Sequence, residues 1–233
     1  MKILTIDFET YYSQTYSLSK MTTEEYVRGD EFEVIGVAVQ EDDGEPVWCT
    51  GDALAIHKFL KGFDFENNLA LAHNAMFDAA ILTWQYGIKP KGWLDTLSMA
   101  RAVHGTEVGG SLKVLVEHYE LGAKGTEVSD AKGLRRADFG ADQLAQYGKY
   151  CENDVALTYG LFAVMSVGFP MFELKLIDLT IRMFSEPTLY LDTSILDAHL
   201  IDVREKKKLA LGLFDKDTLM SNPQFAELLE SLG

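Results

Sequence analysis

The chain is poor in the residues that would tie it to the cell exterior. Two cysteines, Cys49 and Cys151, in 233 residues are too few to staple a secreted miniprotein, and the expected compartment is the cell interior, the cytoplasm. Only five prolines interrupt it, and it has no low-complexity tract or internal repeat. No run approaches ~18 uninterrupted apolar residues, and Met1-Lys2 is followed by only four residues before Asp7 and Glu9, too short for a signal-peptide core. No membrane partner is expected. With 47% hydrophobic residues the chain is not a disordered one.

Basic charge is also scarce. Twenty-one Lys and Arg face 36 Asp and Glu, a net charge of −15, which argues against a protein that coats nucleic acid. Residues 1–80 carry 15 acids and 5 bases, residues 81–160 carry 10 and 9. A polyanion would therefore be met through bound cations or through Lys124, Lys132, Arg135 and Arg136, which lie in the glycine-rich stretch 122–140.

The pattern that is present is α/β. Lys2–Thr10 reads as a buried β-branched strand, followed by a long loop, and Glu33–Gln40 with Glu45–Cys49 as a hairpin. Asp52–Phe63 has helical spacing, Asn68–His73 reads as a strand, and Ala75–Gly87 as a helix. Asp95–Val103 and Ser111–Tyr119, with Ser111 as N-cap, are further helices. A long helix is expected over 141–165, with Leu144, Gly148, Cys151, Val155, Tyr159 and Phe162 as its core stripe. Residues 171–185, 194–214 and 224–232 read as helices. The α/β pattern ends near Val167, which divides the chain into 1–167 and a mainly helical extension, 168–233.

Three groups of acids stand out. Asp7 and Glu9, two apart in a strand, project on one face about 7 Å from each other and call for a cation between them. His73-Asn74-Ala75-Met76-Phe77-Asp78 lies at a strand-to-helix junction, where open α/β sheets bind ligands, with Asn74 as a possible helix cap. Tyr150 and Asp154 are four apart on one helical face, with Tyr147 beside them.

Asp-x-Glu on a first strand, Asn-x-x-x-Asp after a later strand and Tyr-x-x-x-Asp on a late helix together resemble the motifs of the DnaQ-like DEDD 3′-to-5′ exonucleases. Tyr150 marks the tyrosine subclass; the histidine subclass would have histidine where Lys149 stands. The resemblance covers residues 1 to about 165 and implies an RNase H-like five-stranded mixed sheet with Asp7 and Glu9 on the central strand. It implies two Mg²⁺ or Mn²⁺ ions, hard cations suited to four carboxylates, that clamp the attacking and leaving oxygens of a phosphodiester. Asp7 would bridge both ions, Glu9 and Asp154 would hold the one that activates water, Asp78 the other. Tyr150, with a pKa near 10, would orient the water. Thr10, Tyr11, Tyr12, Asn74, Met76 and Phe77 are candidates for holding a 3′-terminal nucleotide, and Lys132, Arg135 and Arg136 for meeting phosphates.

Beyond residue 167, Met171–Met183, Leu189–Asp192 and Ser221–Gly233 resemble the start of a family A DNA polymerase domain. The resemblance implies a proofreading exonuclease acting on single-stranded DNA 3′ ends, with a polymerase domain or subunit as partner, the chain being a fragment or one part of a divided polymerase. An RNA-trimming exonuclease of the same subclass and an inactive binding platform are the alternatives.

Overall fold

The computed structural model describes residues 1–123, 131–212 and 214–233. Five strands form one mixed sheet: β1 (Ile3–Thr10), β2 (Val34–Glu41), β3 (Val47–Thr50), β4 (Leu69–Ala72) and β5 (Gly92–Asp95), in the order β3-β2-β1-β4-β5. β1 is central, antiparallel to β2 and parallel to β4, as the sequence resemblance implied. Alternation along β1 assigns its side chains to two faces. Leu4, Ile6 and Phe8 point into the main apolar core, so Asp7 and Glu9 must point to the opposite face. The β1–β2 register slips between Glu9 and Thr10, a bulge that bends the strand just past the acids.

That opposite face is covered by α6 (Ala141–Met165), a helix whose bounds are those expected from the sequence. Trp48 on β3 sets how closely it approaches. A Cβ on Gly148 would lie 2.5 Å from the Trp48 ring and one on Gly36 of β2 2.2 Å from it. Two glycines thus clear room for the indole, and the Trp48 backbone N–H donates to Glu152 of α6 at 3.2 Å. The buried stripe of α6 differs from the expected one. Gly148, Cys151 and Val155 are buried, but Leu144, Tyr159 and Phe162 are half-buried, and Leu157, Leu161 and Met165 take their place. The reason is a change of neighbour along the helix: its first half lies on the sheet, its second against α5 (Leu112–His118), where Leu112, Leu115 and Val116 form a second core.

The remaining elements of this unit are α1 (Thr23–Arg28), α2 (Ala53–Leu60), α3 (Met76–Ala80) with a π-helical turn over Ile81–Gln85, α4 (Thr96–His104) and α7 (Met171–Ser185). The expected long loop after β1 therefore contains a helix, started by a Thr22/Glu25 capping box. β5 was not foreseen as a strand from its residues; all four are buried, and so short a segment shows no period.

α7 packs on β5 and α3. Asp178 accepts the Trp93 backbone N–H at 2.7 Å, and Arg182 donates to the Pro90 and Lys91 carbonyls at 3.0 and 2.6 Å. The edge of the sheet is thereby covered. The first compact unit runs to Pro187, so α7 belongs with the sheet rather than with an extension beginning at 168. The second unit, Thr188–Gly233, consists of α8 (Thr193–Leu211), α9 (Lys216–Met220) and α10 (Asn222–Leu232). Asp192 and Asp215 cap the first two, and none of the residues described in these helices is buried. No helix among the described residues is long and apolar enough to cross a membrane.

Candidate active site

The site grows from the β1–α6 contact. On α6, residues 147, 150, 151 and 154 share the side that meets β1, because three- and four-residue steps return to one face. Tyr147 donates its hydroxyl to Glu9 Oε2 at 2.6 Å. The Cys151 thiol lies 3.5 Å from Asp7 Oδ2 and 3.4 Å from the Asp7 carbonyl oxygen. Single ligand atoms of Asp7, Glu9 and Cys151 fall within 4.8 Å of one another. Asp154, buried, accepts a hydrogen bond from the Tyr150 hydroxyl.

Asp78 reaches the cluster from α3. It is 3% exposed and accepts the Phe8 backbone N–H at 3.2 Å. Burial pushes its carboxyl well above the usual carboxylate range, with the neighbouring Asp7 charge adding to the effect. Among the described residues no lysine or arginine pairs with it. A buried acid facing a second acid is the donor set of a hard divalent cation, and Mg²⁺ or Mn²⁺ fits these carboxylates by charge and by oxygen chemistry.

Two tyrosines differ from expectation. Tyr150 does not keep an ordinary phenol pKa: burial raises it first, and Asp154 and Glu9 raise it further. It is a hydrogen-bond donor at any working pH. Tyr147, given no role by its sequence position beyond lying beside Tyr150, is pushed up likewise by burial and by Glu9; its spacing of seven from Asp154 was the available signal.

The junction after β4 is held by Asp95, a residue the sequence reading had only as a helix start. This buried carboxylate accepts N–H groups from Asn74 at 2.8 Å, Ala75 at 3.3 Å and Leu97 at 3.1 Å, and the Ser98 hydroxyl at 2.6 Å. One side chain thus caps α4 and pins the turn that delivers Asp78. Asn74 is not the side-chain cap of α3. It adopts φ +69°, its side chain is exposed, and no side chain caps that helix; asparagine tolerates this left-handed conformation.

Beside Glu9 opens a cavity of about 380 Å³ lined by Glu9, Thr10, Tyr12, Leu18, Phe77 and Tyr147, among others. Thr10 and Phe77 therefore reach the site, though both also serve the fold. The Thr10 hydroxyl is bonded to the Tyr26 hydroxyl at 2.8 Å, and Phe77 packs half-buried on the main core. Burial pushes the Tyr26 phenol up to about 12.

The basic candidates follow a segment that packs beside the site: Ala131 shares a small core with Tyr147 and Tyr150, and the Gly133 N–H donates to the Tyr12 carbonyl at 2.8 Å. Arg135 stacks over Tyr11, 4.0 Å from the ring centre, and donates to Glu33 at 3.1 Å. Tyr11 lies buried beneath it, while the Arg135 side chain itself stays 40% exposed. The Arg136 backbone bonds Glu33, and its residue lines a different cavity, with Phe32, Gln85 and Tyr86, that shares no wall with the one at Glu9. Lys132 and Met76 are exposed. Lys124 lies outside the described residues.

The family model described as 3′-5′ exonuclease, of the DNA polymerase A type, matches residues 2–167. The chain belongs to this 3′-5′ exonuclease family. Among curated proteins no sequence matches the chain. Solved structures share the fold of this exonuclease at low identity. NrnC of Brucella melitensis superposes with a TM-score of 0.57 at 16% identity, covering 78% of this chain and 81% of that one. RNase D of Trypanosoma brucei in complex with RNA U12 gives 0.59 at 15% identity, covering 81% and 65%. The family B DNA polymerase of Pyrobaculum calidifontis gives 0.53 at 15% identity, covering 79% and 27%.

Proposed function

We propose that the exonuclease hydrolyses single-stranded DNA from the 3′ end, releasing nucleoside 5′-monophosphates. The observation that carries this reading is the convergence of Asp7, Glu9, Asp78 and Asp154 beside an apolar cavity, in a chain whose family model is of the DNA polymerase A type. Asp7, Glu9 and Asp154 would hold one divalent cation, and Asp7 with Asp78 a second. NrnC, similar in fold, has been solved with Mg²⁺ bound. When bound, such cations neutralise charge at the scissile phosphate and acidify the attacking water.

The protein's own residues do the rest. Tyr150, its proton committed to Asp154, orients the water. Tyr147 fixes the Glu9 carboxylate so that the side chain need not be ordered on each turnover. The terminal base enters the cavity between Tyr12, Leu18 and Phe77, where a π face or an aliphatic chain meets any base without reading its sequence. Water gives up a proton to solvent as its oxygen bonds to phosphorus, the P–O3′ bond breaks, and the leaving 3′ oxygen takes a proton from solvent.

A second reading, RNA trimming, is favoured by the RNase D and NrnC likenesses in fold. A polymerase domain or subunit working with residues 168–233 is part of the DNA reading, and proofreading would be its purpose. The experiment is digestion of matched DNA and RNA oligomers under single-turnover conditions. Faster cleavage of DNA, beginning at the 3′ end, supports the proposal. A faster RNA rate sets it aside for the second reading.

A further inference from the structure

A second cavity, at the same end of the sheet, plays no part in the chemistry at the carboxylates. It encloses about 280 Å³ and is lined by Phe32, Glu33, Asp52, Ala53, Tyr86 and Arg136, among others. Val34, also on its wall, pairs with Thr10 at the close of β1. The Tyr86 ring stacks on Phe8 of the Glu9 cavity, 6.0 Å between centres and 6° from parallel, so two stacked rings separate the cavities.

The donors here are unspent. Arg136 is half-buried, yet its guanidinium has no ion pair or hydrogen bond among the described residues. The acid beside it is already taken: Glu33 Oε2 accepts from Arg135 at 3.1 Å and Oε1 from the Arg136 backbone N–H at 3.3 Å. Tyr86 is only 7% exposed, and its hydroxyl makes no hydrogen bond among the described residues. It is not one of the sealed unpartnered polar atoms, so it opens on the cavity that its residue lines. Burial first, and the Cys49 thiol second, push this phenol up, so it keeps its proton and can donate. Asp52 spends its carboxylate on the Ala55 N–H at 2.8 Å, which leaves the Ala53 N–H, at the start of α2, without a helical partner. A half-buried cation with no counter-charge is costly, and an anion between these donors removes that cost.

We propose that this cavity holds one phosphate group of a nucleotide, with Arg136 and Tyr86 donating to its oxygens and Phe32 as the apolar wall for sugar or base. The choice of a nucleotide over other anions rests on the exonuclease reading. Two sources share this chemistry: an internal phosphate of the strand under digestion, and the nucleoside 5′-monophosphate released from it. Either gives a strongly acidic chain a hold on nucleic acid that needs no metal.

The test is calorimetric titration of the full chain in EDTA, which keeps cations from the carboxylates, with thymidine 5′-monophosphate, thymidine and a short thymidylate strand. The parent should bind the monophosphate at one site, and thymidine about 10-fold or more weakly. Arg136→Ala, folded by circular dichroism, should weaken the monophosphate about 10-fold or more, and Arg136→Lys should recover part of the loss. Tyr86→Phe, which keeps the ring on Phe8, should weaken it about 3- to 10-fold. If the strand weakens in the same variants, the occupant is an internal phosphate; if the monophosphate alone does, it is the released product. Equal affinity of parent and Arg136→Ala for both probes overturns the proposal, as does thymidine bound as tightly as its monophosphate. No binding of either probe by the parent overturns it too, and leaves the exonuclease reading standing where Mg²⁺ still supports digestion.

Discussion

Replacing Asp78 by asparagine should make the metal-free protein more stable while destroying its response to metal. Asp78 is 3% exposed, it accepts the Phe8 N–H at 3.2 Å, and Asp7 lies beside it. An uncompensated buried charge of this kind costs several kcal/mol, limited by uptake of a proton. Asparagine keeps the size and the acceptor for Phe8 and removes the charge, but brings an NH₂ group whose burial costs back about 1–2 kcal/mol. A net gain of about 1–3 kcal/mol remains, which is roughly 3–10 °C in melting temperature for a unit of this size.

The pH dependence has a definite sign. Burial and Asp7 raise the folded-state pKa of Asp78, so the folded chain keeps a proton that the unfolded chain releases near pH ~4. Stability without metal therefore falls as pH rises from there through the folded-state value, then levels off. The advantage of Asp78→Asn should widen along the same course. Mg²⁺ at 100 times its Kd should stabilise the parent by about 2.7 kcal/mol and the variant by clearly less. Melting curves from pH 4 to 8, with and without Mg²⁺, decide it. A variant that melts below the parent without metal at pH 8, or an advantage that shrinks as pH rises, would refute the reasoning.

Tyr147→Phe, which removes the 2.6 Å bond to Glu9, should lower turnover on the order of 10-fold with little loss of stability, read by single-turnover rates and urea unfolding. Tyr150→Phe should cost on the order of 10 to 10²-fold in turnover and leave Mg²⁺ affinity by calorimetry nearly unchanged, since an orienting hydroxyl and not a ligand is lost. Gly148→Ala forces a Cβ to 2.5 Å from Trp48 and should destabilise by about 1–3 kcal/mol, measured as a lower urea midpoint. Arg135→Ala should change stability by at most ~1 kcal/mol, read as the urea midpoint, because its ion pair with Glu33 is partly exposed.

What the sequence made legible were features with a period or a fixed spacing. β1 betrayed itself because acids two apart in a β-branched run are costly, and α6 because 25 residues carry a pattern over seven turns. The Asn74–Asp78 and Tyr150–Asp154 spacings carried the family resemblance. Illegible were features whose meaning depends on a partner distant in sequence. β5 has four residues and no period. Asp95 looks like any helix cap until Asn74, 21 residues earlier, is seen to use it. Arg135 reads as a free cation until Glu33, 102 residues away, claims it. Tyr150 was assigned the pKa of a solvated phenol because burial is a property of the fold.

The central claim is that four carboxylates make this chain a metal-dependent nuclease that starts at the 3′ end. It is tested most directly by following a 5′-labelled single strand on a sequencing gel with the parent, Asp7→Asn and Asp154→Asn, each with Mg²⁺ or EDTA. The account predicts a ladder shortening one nucleotide at a time from the 3′ end for the parent with Mg²⁺. EDTA should abolish it, and each folded variant should be slower by about 10³-fold or more. Parent-like rates in either variant, cleavage in EDTA, or products that begin at the 5′ end would contradict it.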